Sequence, residues 1–294
     1  MGENSEAHPR RLRPPTFALP AGAADTHFHV FGPARRYPYQ ADRAFTPDDA
    51  LPAAAMEVFR QAGIARAVLI QPSAYGTDNS RHLDAAAELR IPTRVVVAID
   101  TDAPDAHLAA LRDRGATGVR RILPQGAGRD LGADLERLAS RASELGWHLQ
   151  LLARPEHLIA LENVFAHLPC PLVFDHLGMI DVSAGVPQPA FQALLRLLKR
   201  GRSYAKISGC YRVSRQEAPY ADLKPFVTSL VEAADDRAIW GSDWPHPAFS
   251  GTIPAYADLL DPLAGWIPDE GRRRRVLVSN PAALYGFEPT EKAA

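Results

Sequence analysis

The sequence predicts an α/β chain that closes into a (β/α)8 TIM barrel, and three observations carry that expectation. Eight short apolar runs alternate with amphipathic stretches along the 294 residues. Such alternation marks parallel βα units, and eight is the number that closes a barrel. The runs are nearly continuous, as in Arg94-Val95-Val96-Val97-Ala98-Ile99, which suits strands covered on both faces. The first turn, Phe31-Gly32-Pro33, holds no glycine-rich phosphate cradle, which argues against an open doubly wound sheet.

In chain order the strand-like runs are Ala23 to Val30, Ala65 to Gln71, Thr93 to Ile99, Thr117 to Ile122, His148 to Ala153, Leu172 to Asp175, Ser203 to Ile207 and Ala238 to Trp240. The helical candidates between them cover 48–62, 79–90, 104–114, 130–146, 155–168, 188–200, 219–234 and 252–264. Asp78, Asp130 and Pro219 are capping or turn residues placed to open helices. Helix 130–146 sets Leu131, Leu135, Leu138, Ala142 and Leu145 on one apolar stripe. Residues 1–21 are polar, rich in Pro and Arg, and lack the apolar stretch of a signal peptide. They read as an N-terminal tail before a single domain at 22–294.

Bulk properties narrow the function. The chain is 46% hydrophobic and 23% charged, the balance of a soluble protein with a large core. A formal net charge of −1 sets up no global field for nucleic acid or an anionic membrane. No run of about 18 apolar residues could span a bilayer. The run Arg272-Arg273-Arg274-Arg275 reads as a solvated helix face. Two cysteines, Cys170 and Cys210, are too few for a disulfide framework, and a reducing, cytoplasmic setting is expected.

In a barrel, chemistry gathers where strands end and βα loops begin. His27 and His29 stand two apart on the first strand, so their imidazoles project from one face. Two neutral imidazoles side by side can hold a divalent metal or polarise a substrate. Later strand ends offer Gln71, Ser73, Arg120, Arg121, Asp175, His176, Ser208, Tyr211, Arg212, Ser242, Asp243 and His246. Histidine and aspartate at successive strand ends are hard to explain as packing. His246, between Pro245 and Pro247, reads as shaping its loop, and His148 as facing the surrounding helices. His8, His82, His107, His157 and His167 receive no role.

The stretches DTHFHVFGP, RYPY, IQPSAYGTDN, GVR, FDHLG, KISGCYR, GSDWPHP and NPAALYGF resemble the amidohydrolase-2 branch of the amidohydrolase superfamily. Within it they are most similar to the 2-pyrone-4,6-dicarboxylate lactonases and related sugar-lactone hydrolases. They extend over residues 25 to 287, nearly the whole chain. The resemblance implies a distorted barrel and hydrolysis of a lactone or other ester-like bond. Asp243 matches the family's essential strand-8 aspartate, and His27, His29 and His176 its active-site histidines. Arg120, Arg212 and Ser73 match positions that hold a substrate carboxylate or carbonyl. Two departures stand out. Gly126 occupies the place of a second arginine, and Leu152 and Phe45 replace tyrosine hydroxyls, which weakens capture of a second carboxylate. Arg121 and Arg129 are the candidates to compensate.

These residues suggest a lactonase in which Asp243 takes a proton from water. His27, His29 and His176 would surround the carbonyl oxygen, alone or through a metal, while Arg120 and Arg212 pin a substrate carboxylate. No lysine precedes residue 199 and no glutamate stands at the middle strand ends, which argues against a binuclear centre. His27, His29 and Asp243 could hold a single Zn or Mn ion; the resemblance leans slightly toward no cofactor. The expected partner is a small carboxylated lactone of pyrone-dicarboxylate, muconolactone or aldonolactone type. Rival readings are a metal-dependent decarboxylase, a lactone isomerase and a catalytically silent sugar-acid binding protein.

Overall fold

The computed structural model describes residues 13–126 and 131–288. Eight strands, β1 Ala24–Phe28, β2 Arg66–Ile70, β3 Thr93–Val97, β4 Ala116–Ile122, β5 His148–Leu152, β6 Leu172–Phe174, β7 Ser203–Ile207 and β8 Ala238–Trp240, pair in sequential order. Every ladder is parallel. Between β8 and β1 the ladder shrinks to one bridge, Phe28 to Trp244. Around it Asp243 N donates to His27 O at 2.7 Å and His29 N to Trp244 O at 2.8 Å. The result is a distorted, nearly closed (β/α)8 barrel, as the sequence predicts. Its irregular seam also brings Asp243 beside the histidine pair, although the two lie more than 200 residues apart.

Ten of the helices pack around the barrel or lead between its strands: α1 Pro52–Ala62, α2 Ser80–Glu88, α3 Asp105–Asp113, α4 Leu131–Glu144, α5 Pro155–Ala160, α6 Glu162–His167, α7 Pro189–Lys199, α8 Cys210–Val213, α9 Lys224–Ala234 and α10 Tyr256–Leu260. α7 illustrates the local logic. Proline at its first position needs no partner for a backbone N–H, and Phe191, Leu194, Leu197 and Leu198 form its buried face. The stretch 252–264 divides into α10 and α11 Pro262–Trp266, because Pro262 cannot continue the hydrogen-bond ladder. The stretch 155–168 divides at Leu161, which has φ −111° and ψ 10°.

The helix expected around the arginine run is part of a longer series of helical segments from Glu270 to Tyr285. Their end seals the barrel floor: Tyr285 and Phe287 pack with Val68, Ile70, Val96, Val173, Tyr204 and Ile239 inside the cylinder. Arg94 donates to the carbonyls of Tyr285 at 3.1 Å and Gly286 at 2.8 Å, and Arg66 to that of Glu288. The arginine run is therefore only partly a solvated face. Arg272 and Arg275 pair with Asp235, and Arg273 donates to the carbonyls of Ile267 and Pro268.

Of the segment read as a tail, residues 1–12 lie outside the described residues. Arg13 pairs with Asp258 and Asp261, each at 2.6 Å, which ties this stretch to α10 and its end. No described helix is long and apolar enough to cross a membrane.

Candidate active site

Asp243 is the centre of the site. It follows β8 with φ at +61°, a conformation costly for a residue with a Cβ and often found where function requires it. The residue is only 1% exposed. Its Oδ2 accepts from the Tyr211 hydroxyl at 2.5 Å and from Arg212 Nε at 2.7 Å. Its Oδ1 lies 3.3 Å from His29 Nε2 and 3.6 Å from His27 Nε2. Burial by itself would raise this carboxyl, but the Arg212 guanidinium beside it holds it well below the usual carboxylate range. The carboxylate is thus ionised, anchored through one oxygen and open toward the imidazoles through the other.

The paired histidines project inward because the β1 ladder shifts register between Asp25 and Phe28. Asp25 pins that irregularity from behind. Its Oδ1 accepts from His27 N and Ser242 N at 3.0 Å, and its Oδ2 from Ser242 Oγ at 2.5 Å and Tyr256 OH at 2.8 Å. Burial pushes the Asp25 carboxyl up to about 6.

Hydrogen-bond direction assigns the tautomers. His29 Nδ1 lies 2.6 Å from the Ile70 carbonyl, which can only accept, so Nδ1 carries the proton. His27 Nδ1 lies 3.2 Å from Asp175 Oδ1, an acceptor only, and 3.4 Å from Lys206 Nζ, a donor only; the nearer, charged acceptor favours the Nδ1–H form. Burial lowers the pKa of both rings, and a neutral ring with Nδ1 protonated presents a lone pair at Nε2. Both lone pairs face the Asp243 carboxylate, and His27 Nε2 is buried with no hydrogen-bond partner.

Three electron-pair donors turned toward one another form the donor set of a cation site. His27, His29 and Asp243 offer ligand atoms within 4.8 Å of one another. Two ligands on a tetrahedral zinc ion, each about 2.0 Å away, stand about 3.3 Å apart, close to the 3.3 and 3.6 Å that separate Asp243 Oδ1 from the two imidazoles. The Nδ1 bonds to Ile70 and Asp175 are the outer partners such ligands carry. The residues therefore fit one divalent ion.

His176 completes the ring of imidazoles. Its Nδ1 meets Ser208 Oγ at 2.9 Å, and its Nε2 lies 3.9 Å from Asp243 Oδ2. Burial brings it down to about 4. When Ser208 donates to Nδ1, Nε2 carries the proton and His176 becomes the ring with an N–H to offer. Arg120 enters from β4, donating from Nη1 to the Gln71 carbonyl at 3.0 Å, with Nε 3.4 Å from Asp175 Oδ2. Arg212 lies against Asp243, so its fork is at least partly engaged by the protein. Ser73 opens the turn after β2 with an exposed side chain, apart from the buried cluster.

Some residues lie elsewhere than the sequence reading placed them. His148 faces the barrel interior, its ring 5.2 Å from that of Tyr285, because it shares the inward face of β5 with Gln150. Arg121 points outward to Thr101 and Asp134 and supplies no cation to the site. Arg129 lies outside the described residues. His82 is fully buried, with its ring 6.3 Å from that of His29. Cys210 is inert: burial pushes its thiol to about 12, leaving no thiolate to react.

Two participants went unassigned. Tyr211 holds Asp243. Lys206, fully buried on β7, donates to Thr26 O and Gln150 Oε1 at 2.8 Å. Strand alternation places Lys206 on the same inward face as Tyr204, a signal present in the sequence.

The chain is similar to characterised enzymes over nearly its whole length. A 4-sulfomuconolactone hydrolase of Hydrogenophaga intermedia is 35% identical over 94% of this chain and 92% of its own length. A 2-pyrone-4,6-dicarboxylate hydrolase of Comamonas testosteroni is 34% identical over 92% of each. A D-galactarolactone isomerase of Agrobacterium fabrum is 32% identical over 94% of this chain and 95% of its own. The profile of the Amidohydrolase family matches residues 24–287, a span that begins at β1 and ends with the floor-sealing Phe287, and the chain belongs to that family.

Proposed function

We propose that this protein hydrolyses a small carboxylated lactone. The observation that carries the reading is the two-sided setting of Asp243: Oδ2 is fixed by Tyr211 and Arg212, while Oδ1 is turned toward the imidazoles. A carboxylate so held can take a proton without losing its position. Water adds to the lactone carbonyl carbon as Asp243 accepts its proton, and the carbonyl oxygen becomes a tetrahedral oxyanion. The Nε2–H of His176 and the nearby guanidinium of Arg120 oppose that charge. Collapse breaks the ring C–O bond, and Asp243 returns the proton to the leaving oxygen, giving a ring-opened acid.

A divalent ion held by His27, His29 and Asp243 would supply Lewis acidity and a more acidic water; Zn2+ and Mn2+ both suit such a donor set. Arg120 and Arg212 are the cations for a substrate carboxylate, and Ser73 an additional donor at the mouth. With Gly126, Leu152 and Phe45 offering no further cation or hydroxyl, the reading favours a lactone with one ring-adjacent carboxylate.

A pH-indicator assay over pyrone, muconolactone and aldonolactone substrates tests the proposal, with NMR of the products. Acid release with ring opening is expected from at least one monocarboxylated lactone. Substrate loss without acid would identify an isomerase, and carbon dioxide release a decarboxylase. Ligand-induced thermal stabilisation with no turnover would identify a binding protein.

A further inference from the structure

Beneath the imidazoles lies a buried ammonium that the chemistry above does not use. Lys206 Nζ reaches four groups on three other elements of the barrel wall. It donates at 2.8 Å to Thr26 O on β1 and at 2.8 Å to Gln150 Oε1 on β5. It also stands 3.6 Å from Asp175 Oδ1, just past β6, and 3.4 Å from His27 Nδ1. An ammonium has three donors and no acceptor, so it dictates which way its neighbours point. Gln150 must turn its oxygen toward Lys206, which sends its amide nitrogen to Asp175 Oδ2, 3.1 Å away. Held by that contact and by Arg120 Nε at 3.4 Å, Asp175 presents Oδ1 to His27 Nδ1 at 3.2 Å. Asp175, an acceptor and the nearer neighbour of Nδ1, outweighs the ammonium 3.4 Å away, so His27 keeps its proton on Nδ1 and its lone pair on Nε2, toward Asp243.

We propose that Lys206 is a positioning residue that fixes the tautomer and ring orientation of His27 through Gln150 and Asp175. The lysine lies on the Nδ1 side of the ring, away from the Nε2 that faces Asp243, so it acts through the histidine without touching substrate. The inference rests on the lactonase reading only where activity is measured.

The test is Lys206→Met in protein labelled with 15N-histidine. Two-bond 1H–15N correlation reads the His27 tautomer without substrate, and kcat and KM are measured on the lactone that the panel identifies. Expected are a shift of His27 from a single Nδ1–H form to a mixture or to Nε2–H, and a fall in kcat of at least ~10-fold with KM within about threefold, the pattern of lost transition-state orientation. An unchanged tautomer with wild-type kcat overturns the proposal. Should Lys206→Met not fold, Gln150→Met leaves the Lys206–Asp175 pair in place and breaks only the relay. The same tautomer shift in that variant supports the proposal, and its absence overturns it. A shifted tautomer in a protein that opens no lactone would leave the positioning role standing and refute the assigned reaction.

Discussion

Asp243→Asn separates charge from shape at the centre of the site. An asparagine fits the pocket with one defined orientation. Its oxygen takes the place of Oδ2, accepting from Tyr211 and Arg212, now at 2.5 and 2.7 Å. Its NH2 takes the place of Oδ1 and donates to the Nε2 lone pair of His29 or His27, now 3.3 and 3.6 Å away. Every hydrogen bond survives, so the fold should persist, at a cost of about 1–3 kcal/mol for leaving Arg212 without its counter-charge. The base is gone, because an amide cannot take a proton from water at neutral pH. Loss of a general base costs on the order of 10²-fold or more in kcat, which is about 2.7 kcal/mol at about 1.36 kcal/mol per decade. The assay is steady-state hydrolysis beside a thermal melt. Turnover within threefold of wild type in a folded variant would refute Asp243 as the base.

Other outcomes follow from the same contacts. Tyr211→Phe removes one donor to the Asp243 carboxylate, whose pKa must then rise. A hydrogen bond to a charged group is worth about 1.5–3 kcal/mol, so the acid limb of kcat/KM should move up by about one to two pH units; a stationary limb would break the link between Tyr211 and Asp243. Titration with Zn2+ should saturate at one equivalent per chain and fail in His29→Asn, and saturation at two would refute the donor assignment. Acid should destabilise the fold between pH 6.5 and about 4. Burial brings His148 down to about 3 and His176 to about 4, so in this window the unfolded chain binds the extra protons and stability falls as pH falls. Asp25, raised to about 6, works in the opposite direction between 3.8 and 6, but as a single group against two. A net slope of at least about 1 kcal/mol per pH unit near pH 5 is expected from urea midpoints; a flat or inverted profile would show these groups to be solvated.

Much of this molecule was legible in one dimension. Strand and helix positions follow from hydrophobic periodicity, which is a local property: Arg94 to Ile99 reads as a buried strand whichever neighbours it meets. The candidate site residues stood out for a related reason. Polar side chains at the ends of apolar runs, such as Asp243 after Ala238 to Trp240, have no packing role to explain them. What failed was direction. His148 was assigned to the helices and is found inside the barrel, Arg121 was a candidate for the site and reaches Asp134 instead, and the inward Lys206 drew no role.

By itself, then, the sequence determined the eight-unit barrel and the family, and it nominated the residues proposed for the chemistry. The tertiary structure decided how those residues use one another. Arg212 engages the carboxylate of Asp243, and the two imidazoles turn lone pairs toward it because Ile70 and Asp175 take their Nδ1 protons. The irregular β8–β1 seam sets the distances. Hydrogen-bond direction and charge pairing depend on which groups meet across the barrel, and no pattern along the chain encodes a meeting between residues 27, 175, 206 and 243.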